Sequence, residues 1–349
     1  IPVIRFPHLP RGDRGFLGMA ANFVSFALLG SLLAPFLLRG RPFDVIFVYE
    51  PSPITVGFPA VVMRALRKIP LVFWVQDLWP ESLTSAGNIR SPWILKPVER
   101  MVRFLYRRFD RILAQSRGFF PWIMKWGVPA SKLEFYPLSA EKLFHPTEVS
   151  LDAPQRKVMP RGFTVLFAGN IGESQDFPTI LATAELLKDS GIHWVILGSG
   201  RAEDWVRQEI PRRGLEGSVH LLGRFPLESM PVFFSLADVL LISLKKEPIF
   251  SVTLPSKLQS YMAMGKPILA SLDGECDRML REAGGGLSAA PSSPPSLAEA
   301  ARRLAALPQE ELAAMGQRSL EYYRKHFDPD SLLQKLETIF EQEMERRQS

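Results

Sequence analysis

The residues that could do chemistry gather at the ends of apolar runs. Gly169-Asn170-Ile171-Gly172 follows the run 163–167 and leads, past Gln175, toward a helix opening near Thr179. Glycines let backbone come close to a ligand, and the free N–H groups of a helix amino terminus favour phosphate. Taken alone, this G-x-x-G reads equally well as a tight turn. Gly198-Ser199-Gly200-Arg201 ends the next run and Gly223-Arg224 the one after. Three successive strands are therefore expected to end in glycine on the carboxyl edge, where open α/β sheets bind ligands. Pro255-Ser256-Lys257-Leu258 opens a further helix. Proline suits a first helical turn and Ser256 suits a cap, but a cation at Lys257 opposes the helix dipole unless an anion binds. Together these residues point to a diphosphate. In the first half, Asp77 and Glu81 follow the run 71–75, where either could orient a hydroxyl or balance a developing cation. Helix capping is their competing role.

Parallel sheets are what would bring such strand ends together. Short apolar runs at 44–49, 71–75 and 111–115 alternate with helical patterns at 55–68 and 95–109. A second series begins at 163, with strands expected at 163–167, 193–197, 219–222, 239–243 and 267–271, and helices at 179–189, 203–213, 227–236 and 256–264. Helices 297–307, 309–327 and 330–348 follow. The fold class is α/β, and 349 residues suffice for two domains, since single cores stop growing beyond about 250 residues. The segment 145–162 lacks periodicity and carries three prolines, which makes it the linker. The organisation expected is a first domain over 1–146, a second over 147–328 and a carboxy-terminal helix over 329–349. The tract 291–296 reads as a surface loop, and residues 1–6 as strand-like.

Composition narrows the partners. With 46% hydrophobic and 22% charged residues, the chain is globular with an apolar excess. One cysteine and five scattered histidines give neither a disulfide framework nor metal-ligand spacing, so a reducing cytoplasm and no metal cofactor are expected. A net charge of +6 favours an anionic partner. Residues 16–38 are 23 uncharged positions flanked by Arg11, Arg14, Arg39 and Arg41, long enough to cross a bilayer. Membrane-surface docking, a buried domain helix and a span all fit this stretch. Lys96, Arg100, Arg103 and Arg107 recur on one helix face opposite Val98, Met101, Val102, Leu105 and Phe109. No aromatic platforms are interleaved with these cations, which disfavours nucleic acid. Asp328-Pro329-Asp330 reads as the start of a helix rather than a metal motif, with Pro329 and Asp330 as first-turn and capping residues, and His193 and His220 as residues at strand starts.

Residues 163–295 resemble the donor domain of retaining glycosyltransferase family 4. The resemblance is carried by the G-N-I-G opening with Gln175, by L-G-S-G at 197–200, by L-G-R-F at 222–225 and by P-S-K-L-Q-S-Y-M-A-M-G-K-P-I at 255–268. W-V-Q-D-L-W-P-E-S at 74–82 and the segment from Gly127 to Pro146 extend it over nearly the whole chain. These strings are most similar to the fucosamine-type (WbuB-like) transferases of O-antigen, capsule and exopolysaccharide assembly. The resemblance implies a GT-B architecture of two Rossmann-like domains facing across a cleft, with a UDP-sugar in the second and a polyprenyl-diphosphate-linked saccharide acceptor in the first. It also implies metal-free, retaining transfer of an N-acetylated amino or deoxyamino sugar, and a peripheral place on the inner face of a bacterial cell membrane. The family's first strand and glycine-rich acceptor loop have no counterpart after Ile1, which implies a chain that begins beyond them. Asn170 and Gln175 stand where members have Arg and Lys, Ser260 where many have a ribose-binding Glu, and Gln76 where many have a His. Lys257 and Arg201 are then the cations left for the diphosphate, with Arg224, Ser256 and Ser260 beside them on the donor side. A UDP-sugar epimerase of the same fold and a non-catalytic nucleotide-sugar-binding subunit remain the alternatives.

Overall fold

Leu71, Val72, Phe73 and Val75 are all completely buried. A strand covered on both faces reads as such a continuous apolar run, as parallel sheets require. The computed structural model describes residues 2–10, 12, 15–85, 89 and 91–348. They fall into two compact units, Ile1–Pro137 with Leu332–Ser349, and Leu138–Ser331.

The first unit is built on four parallel strands in the order β1-β2-β3-β4, namely β1 (Ile46–Glu50), β2 (Leu71–Val75), β3 (Arg111–Ala114) and β4 (Leu133–Phe135). Its helices are α1 (Gly15–Leu37), α2 (Gly57–Arg67), α3 (Glu81–Ser85), α4 (Pro92–Tyr106) and α5 (Phe119–Met124). α4 starts three residues ahead of expectation, because Pro92 occupies its first turn, where a missing N–H costs nothing. Residues 2–10 contain no strand, and Ile1, Arg11 and Arg14 lie outside the described residues.

α1 is patterned inside out. Its small residues Gly18, Ala27, Gly30 and Ala34 are buried, and a Cβ added to Gly30 would come within 2.7 Å of Pro59 Cγ on α2. Its large residues Leu17, Val24, Leu28, Leu32 and Phe36 are exposed, at 53% to 77%. A wholly buried domain helix, one of the three readings of this stretch, is therefore corrected: only the small-residue stripe is covered.

The second unit holds six parallel strands in the order β10-β9-β8-β5-β6-β7. They are β5 (Phe163–Ala168), β6 (Ile192–Leu197), β7 (Val219–Gly223), β8 (Val239–Ser243), β9 (Ile268–Ser271) and β10 (Gly286–Ala289). The helices are α6 (Gln155–Val158), α7 (Phe177–Leu186), α8 (Glu203–Arg212), α9 (Met230–Leu236), α10 (Pro248–Val252), α11 (Ser256–Ala263), α12 (Gly274–Ala283), α13 (Pro294–Ala305) and α14 (Gln309–His326). The chain runs β5 to β7 on one side and β8 to β10 on the other, so the topological switch point lies between β5 and β8. The surface loop expected at 291–296 is half helix, since Pro294 and Pro295 form the first turn of α13.

The last helix, α15 (Pro329–Gln348), belongs mostly to the first unit. Ile339 packs with Val72, Leu113 and Tyr136, flanked by Leu332, Leu336 and Phe340. Arg111, on β3, forms a buried ion pair of 2.8 Å with Glu343. Asp328, not Asp330, caps this helix, its Oδ2 accepting from Ser331 N at 2.9 Å.

Candidate active site

The carboxyl edge of the second sheet is one connected stretch of backbone. Gly169 N donates to Leu197 O at 2.9 Å, Ile171 N to Ser199 O at 2.9 Å and Gly198 N to Gly223 O at 2.8 Å, so three strand-end loops lie against one another. Gly169 (φ 141) and Gly198 (φ 136) adopt backbone that L side chains rarely enter, and a Cβ on Gly198 would overlap the Gly169 carbonyl. Gly172 leaves room for the Asn170 side chain, and a side chain at Gly200 would collide with Ile171 O. The glycines expected at one place do meet there.

Lys257 reaches the same loop from α11. A Cβ on Gly169 would sit 3.1 Å from Lys257 Nζ, so glycine keeps the ammonium beside bare backbone. Nζ donates to Gln175 Oε1 at 2.9 Å and lies 4.9 Å from the Phe167 ring centre. Among the described residues no carboxylate is paired with it, and burial alone brings its pKa from 10.5 down to about 8. The start of α11 is equally uncompensated, with no side-chain cap and no acid in its first turn. Pro255 is the cap residue and Ser256 the first helical one, which corrects the expectation that Ser256 caps. One turn on, Ser260 Oγ donates to Ser256 O at 3.3 Å. Tyr261 OH accepts from Ala168 N at 3.2 Å, fixing α11 against the end of β5. Arg201 and Arg224 stand exposed just past β6 and β7.

The start of α7 is different. Buried Asp176 precedes it in left-handed backbone (φ 54), and its carboxylate accepts from Thr179 Oγ1 at 2.8 Å and Ser292 Oγ at 2.7 Å. The amides of Gly169, Ile171 and Gly172 already donate to Leu197, Ser199 and Asn170 carbonyls. The expectation that these amides and this helix end cradle phosphate is corrected: a carboxylate stands there, and the open positive end is that of α11. Sequence reading also passed over Ser243 and Ser271, paired in register at the ends of β8 and β9, whose buried hydroxyls have no hydrogen-bond partner among the described residues. Nothing but their strand-end position marks them.

In the first unit, β1 ends at Glu50, β2 is followed by Gln76 and Asp77, and β3 by Gln115 and Ser116. Gln76 N donates to Glu50 O at 3.1 Å and Gln115 Nε2 to Gln76 O at 3.0 Å. Burial raises the pKa of Asp77, against hydrogen bonds from Ser82, Ser52 and the Leu78 backbone. α3 begins at Glu81, so Asp77 precedes it by four residues and is not its cap. Glu81 accepts from Lys125 Nζ, an ion pair that leaves Asp77 the better placed of the two for a proton. Sequence reading missed Glu50, which looks like the polar end of an ordinary strand. It is completely buried, and among the described residues neither carboxylate oxygen has a hydrogen-bond partner.

The four cations Lys96, Arg100, Arg103 and Arg107 are all exposed along α4, with Trp93 in its first turn 90% exposed. His193 Nδ1 and His220 Nε2 lie 3.1 Å apart on β6 and β7. Among the described residues no group of three His, Cys, Asp or Glu is arranged to hold a metal ion.

Comparison with known proteins fits this arrangement unit by unit. Residues 1–139 match the family described as "Glycosyl transferase 4-like domain" and residues 162–306 the one described as "Glycosyl transferases group 1". The glycosyltransferase WbjE of Pseudomonas aeruginosa is 29% identical over 303 residues, covering 83% of this chain and 72% of its own. WcaI of Escherichia coli (strain K12), a colanic acid biosynthesis glycosyl transferase by name, is 25% identical over 60% of this chain and 53% of its own. The crystal structure of Anabaena Alr3699/HepE in complex with UDP and glucose aligns with a TM-score of 0.73 at 16% identity, over 98% of this chain and 86% of that one. The chain thus belongs to the glycosyltransferases that join a 4-like domain to a group 1 domain, and it is an enzyme of the GT-B fold.

Proposed function

We propose that the chain moves a sugar, an N-acetylated amino or deoxyamino sugar, from a UDP donor to a saccharide carried on polyprenyl diphosphate, with retention of configuration. The observation that carries this reading is Lys257: a desolvated ammonium without a carboxylate partner among the described residues, at an uncapped helix start beside a glycine loop. Departure of the nucleoside diphosphate builds negative charge on phosphate, and one well-placed donor is worth about 3 kcal/mol. Ser256 and Ser260 lie on the same helix face, and Gly169, Asn170, Gln175, Gly198, Gly200, Arg201 and Arg224 complete the donor side. The UDP-bound neighbour supports the choice of nucleotide. Asp77, with its raised pKa, takes the acceptor side, since a base works best with a pKa near the working pH.

Attachment to the inner face of the membrane is part of this reading, and two features of the first unit support it. The exposed apolar stripe of α1 and the basic face of α4 supply the two signals that stable peripheral anchoring requires. The test of the whole reading is release of UDP from a panel of UDP-sugars, with and without a polyprenyl diphosphate saccharide. A new glycosidic bond made only when the lipid acceptor is present is the expected product. Conversion of the donor into its isomer with no new bond would make the chain an epimerase, and no turnover of any donor would refute the reading.

A further inference from the structure

Glu50 is an anomaly of the first sheet. A buried carboxylate without a partner is expensive, and such a group neutralises instead of staying charged. Burial raises its pKa well above 4.5, with the charge of Asp77 the next cause, against the backbone N–H groups of Asp77 and Gln76, which lower it. The groups facing it are polar or acidic. They are Asp77 after β2, and on α4 Tyr106, itself completely buried with an unpartnered hydroxyl that feels the charges of Glu50, Glu81 and Asp77. The cluster also holds Gln76, whose side-chain nitrogen and oxygen are both buried and unpartnered. Glu81 is already engaged by Lys125. A neutral carboxylic acid carries one O–H donor that needs an acceptor, and among these neighbours the anionic acceptor left is Asp77.

We propose that Glu50 is a positioning residue, the protonated half of a carboxylic acid–carboxylate pair whose other half, Asp77, receives the acceptor hydroxyl. The proton stays on Glu50 and is shared as a hydrogen bond. With the hydrogen bonds from Ser82, Ser52 and the Leu78 backbone, it fixes the Asp77 carboxylate for the acceptor hydroxyl. Because the charge of Asp77 opposes ionisation of Glu50, the two titrate as a coupled pair. The strand-end register accounts for the pairing: Glu50 lies opposite Val75, two positions before Asp77. This role rests on the acceptor-side reading of Asp77, but the existence of the pair does not.

Infrared difference spectroscopy on the full chain without substrate tests it. At pH 7 the wild type should show the carbonyl stretch of a protonated carboxyl, Glu50→Gln should lose that band, and Asp77→Asn should shift it, because the bond it makes changes. A band that survives in Glu50→Gln, or one that Asp77→Asn leaves unmoved, would overturn the pair. Should Glu50→Gln fail to fold, the shift in Asp77→Asn against the wild type decides alone. A second readout is the melting temperature against pH. A group whose folded pKa is raised adds stability at low pH and loses it as pH rises through the folded value. The wild type should therefore lose stability with rising pH more steeply than Glu50→Gln, and equal slopes would count against the inference. Turnover separates this from the parent reading: a shifted band with normal turnover in Asp77→Asn would retain the pair and reject its part in transfer.

Discussion

Lys257 is costly where it stands. Its ammonium is largely desolvated, and its pKa in the folded chain, about 8, lies below 10.5. Between those values the unfolded chain binds more protons, so stability rises as pH climbs from about 8 toward 10.5. Lys257→Met removes that dependence and relieves the desolvation at neutral pH. It is expected to raise the melting temperature, about 2–4 °C for each kcal/mol recovered, while weakening UDP binding. A lower melting temperature would show that the ammonium holds the fold together. Asp77→Asn is the matching change in the first unit: turnover should fall about a hundredfold or more with UDP affinity unchanged. Normal turnover with a lower melting temperature would leave Asp77 a structural residue. Lys257 and Asp77 were legible in the sequence because a cation at a helix start and an acid after a strand are local oddities. Asp176 and Glu50 were not, because what makes each unusual is supplied by distant residues, Ser292 in one case and Asp77 in the other.

At the scale of elements, the pattern of apolar runs was enough to place β2 and β8 at their observed bounds and most other strands within a residue or two. It missed β4, β10 and the helices α3, α5, α6, α10 and α12, which are short or polar, and it could not say where α15 goes. A helix's apolar stripe announces that it must be covered, not by what, and the covering contacts of Ile339 reach back to Val72 and Leu113. The Arg111–Glu343 pair makes the return measurable. Glu343→Ala strands a buried guanidinium, which should cost about 3–5 kcal/mol in denaturant unfolding, and a loss under 1 kcal/mol would mean Arg111 finds solvent. α1 posed the opposite difficulty: apolar on every side, its sequence could not separate docking from burial, and only its small-residue stripe hinted at the packed face. Liposome flotation separates the contributions. Wild type should float with anionic vesicles, and changing Lys96, Arg100, Arg103 and Arg107 to Gln should weaken attachment by up to about 4 kcal/mol, less as salt rises. Flotation indifferent to those changes, to salt and to anionic lipid would remove the electrostatic part, and no flotation would remove the membrane.

For the molecule as a whole, the division of labour follows from topology. In the second unit the strand order reverses at β5 and β8, and the loop after β5 and the helix start of α11 converge at that reversal. The parallel sheets could be anticipated from the alternation of β and α patterns, but the choice of phosphate site could not. Two helix starts compete for it, and only the buried carboxylate at Asp176 rules one out. Titration of UDP into the full chain by calorimetry, from pH 7 to pH 9.5 or so, tests that choice directly. The diphosphate requires the charged ammonium, so wild-type affinity should fall as pH rises through about 8, approaching tenfold per unit beyond it. Lys257→Ala should bind about tenfold or more weakly at pH 7 and show no such fall, since a hydrogen bond to a charged group is worth about 1.5–3 kcal/mol. If Lys257→Ala binds UDP as tightly as the wild type and with the same pH dependence, the diphosphate does not sit at α11 and the account of the donor site is wrong.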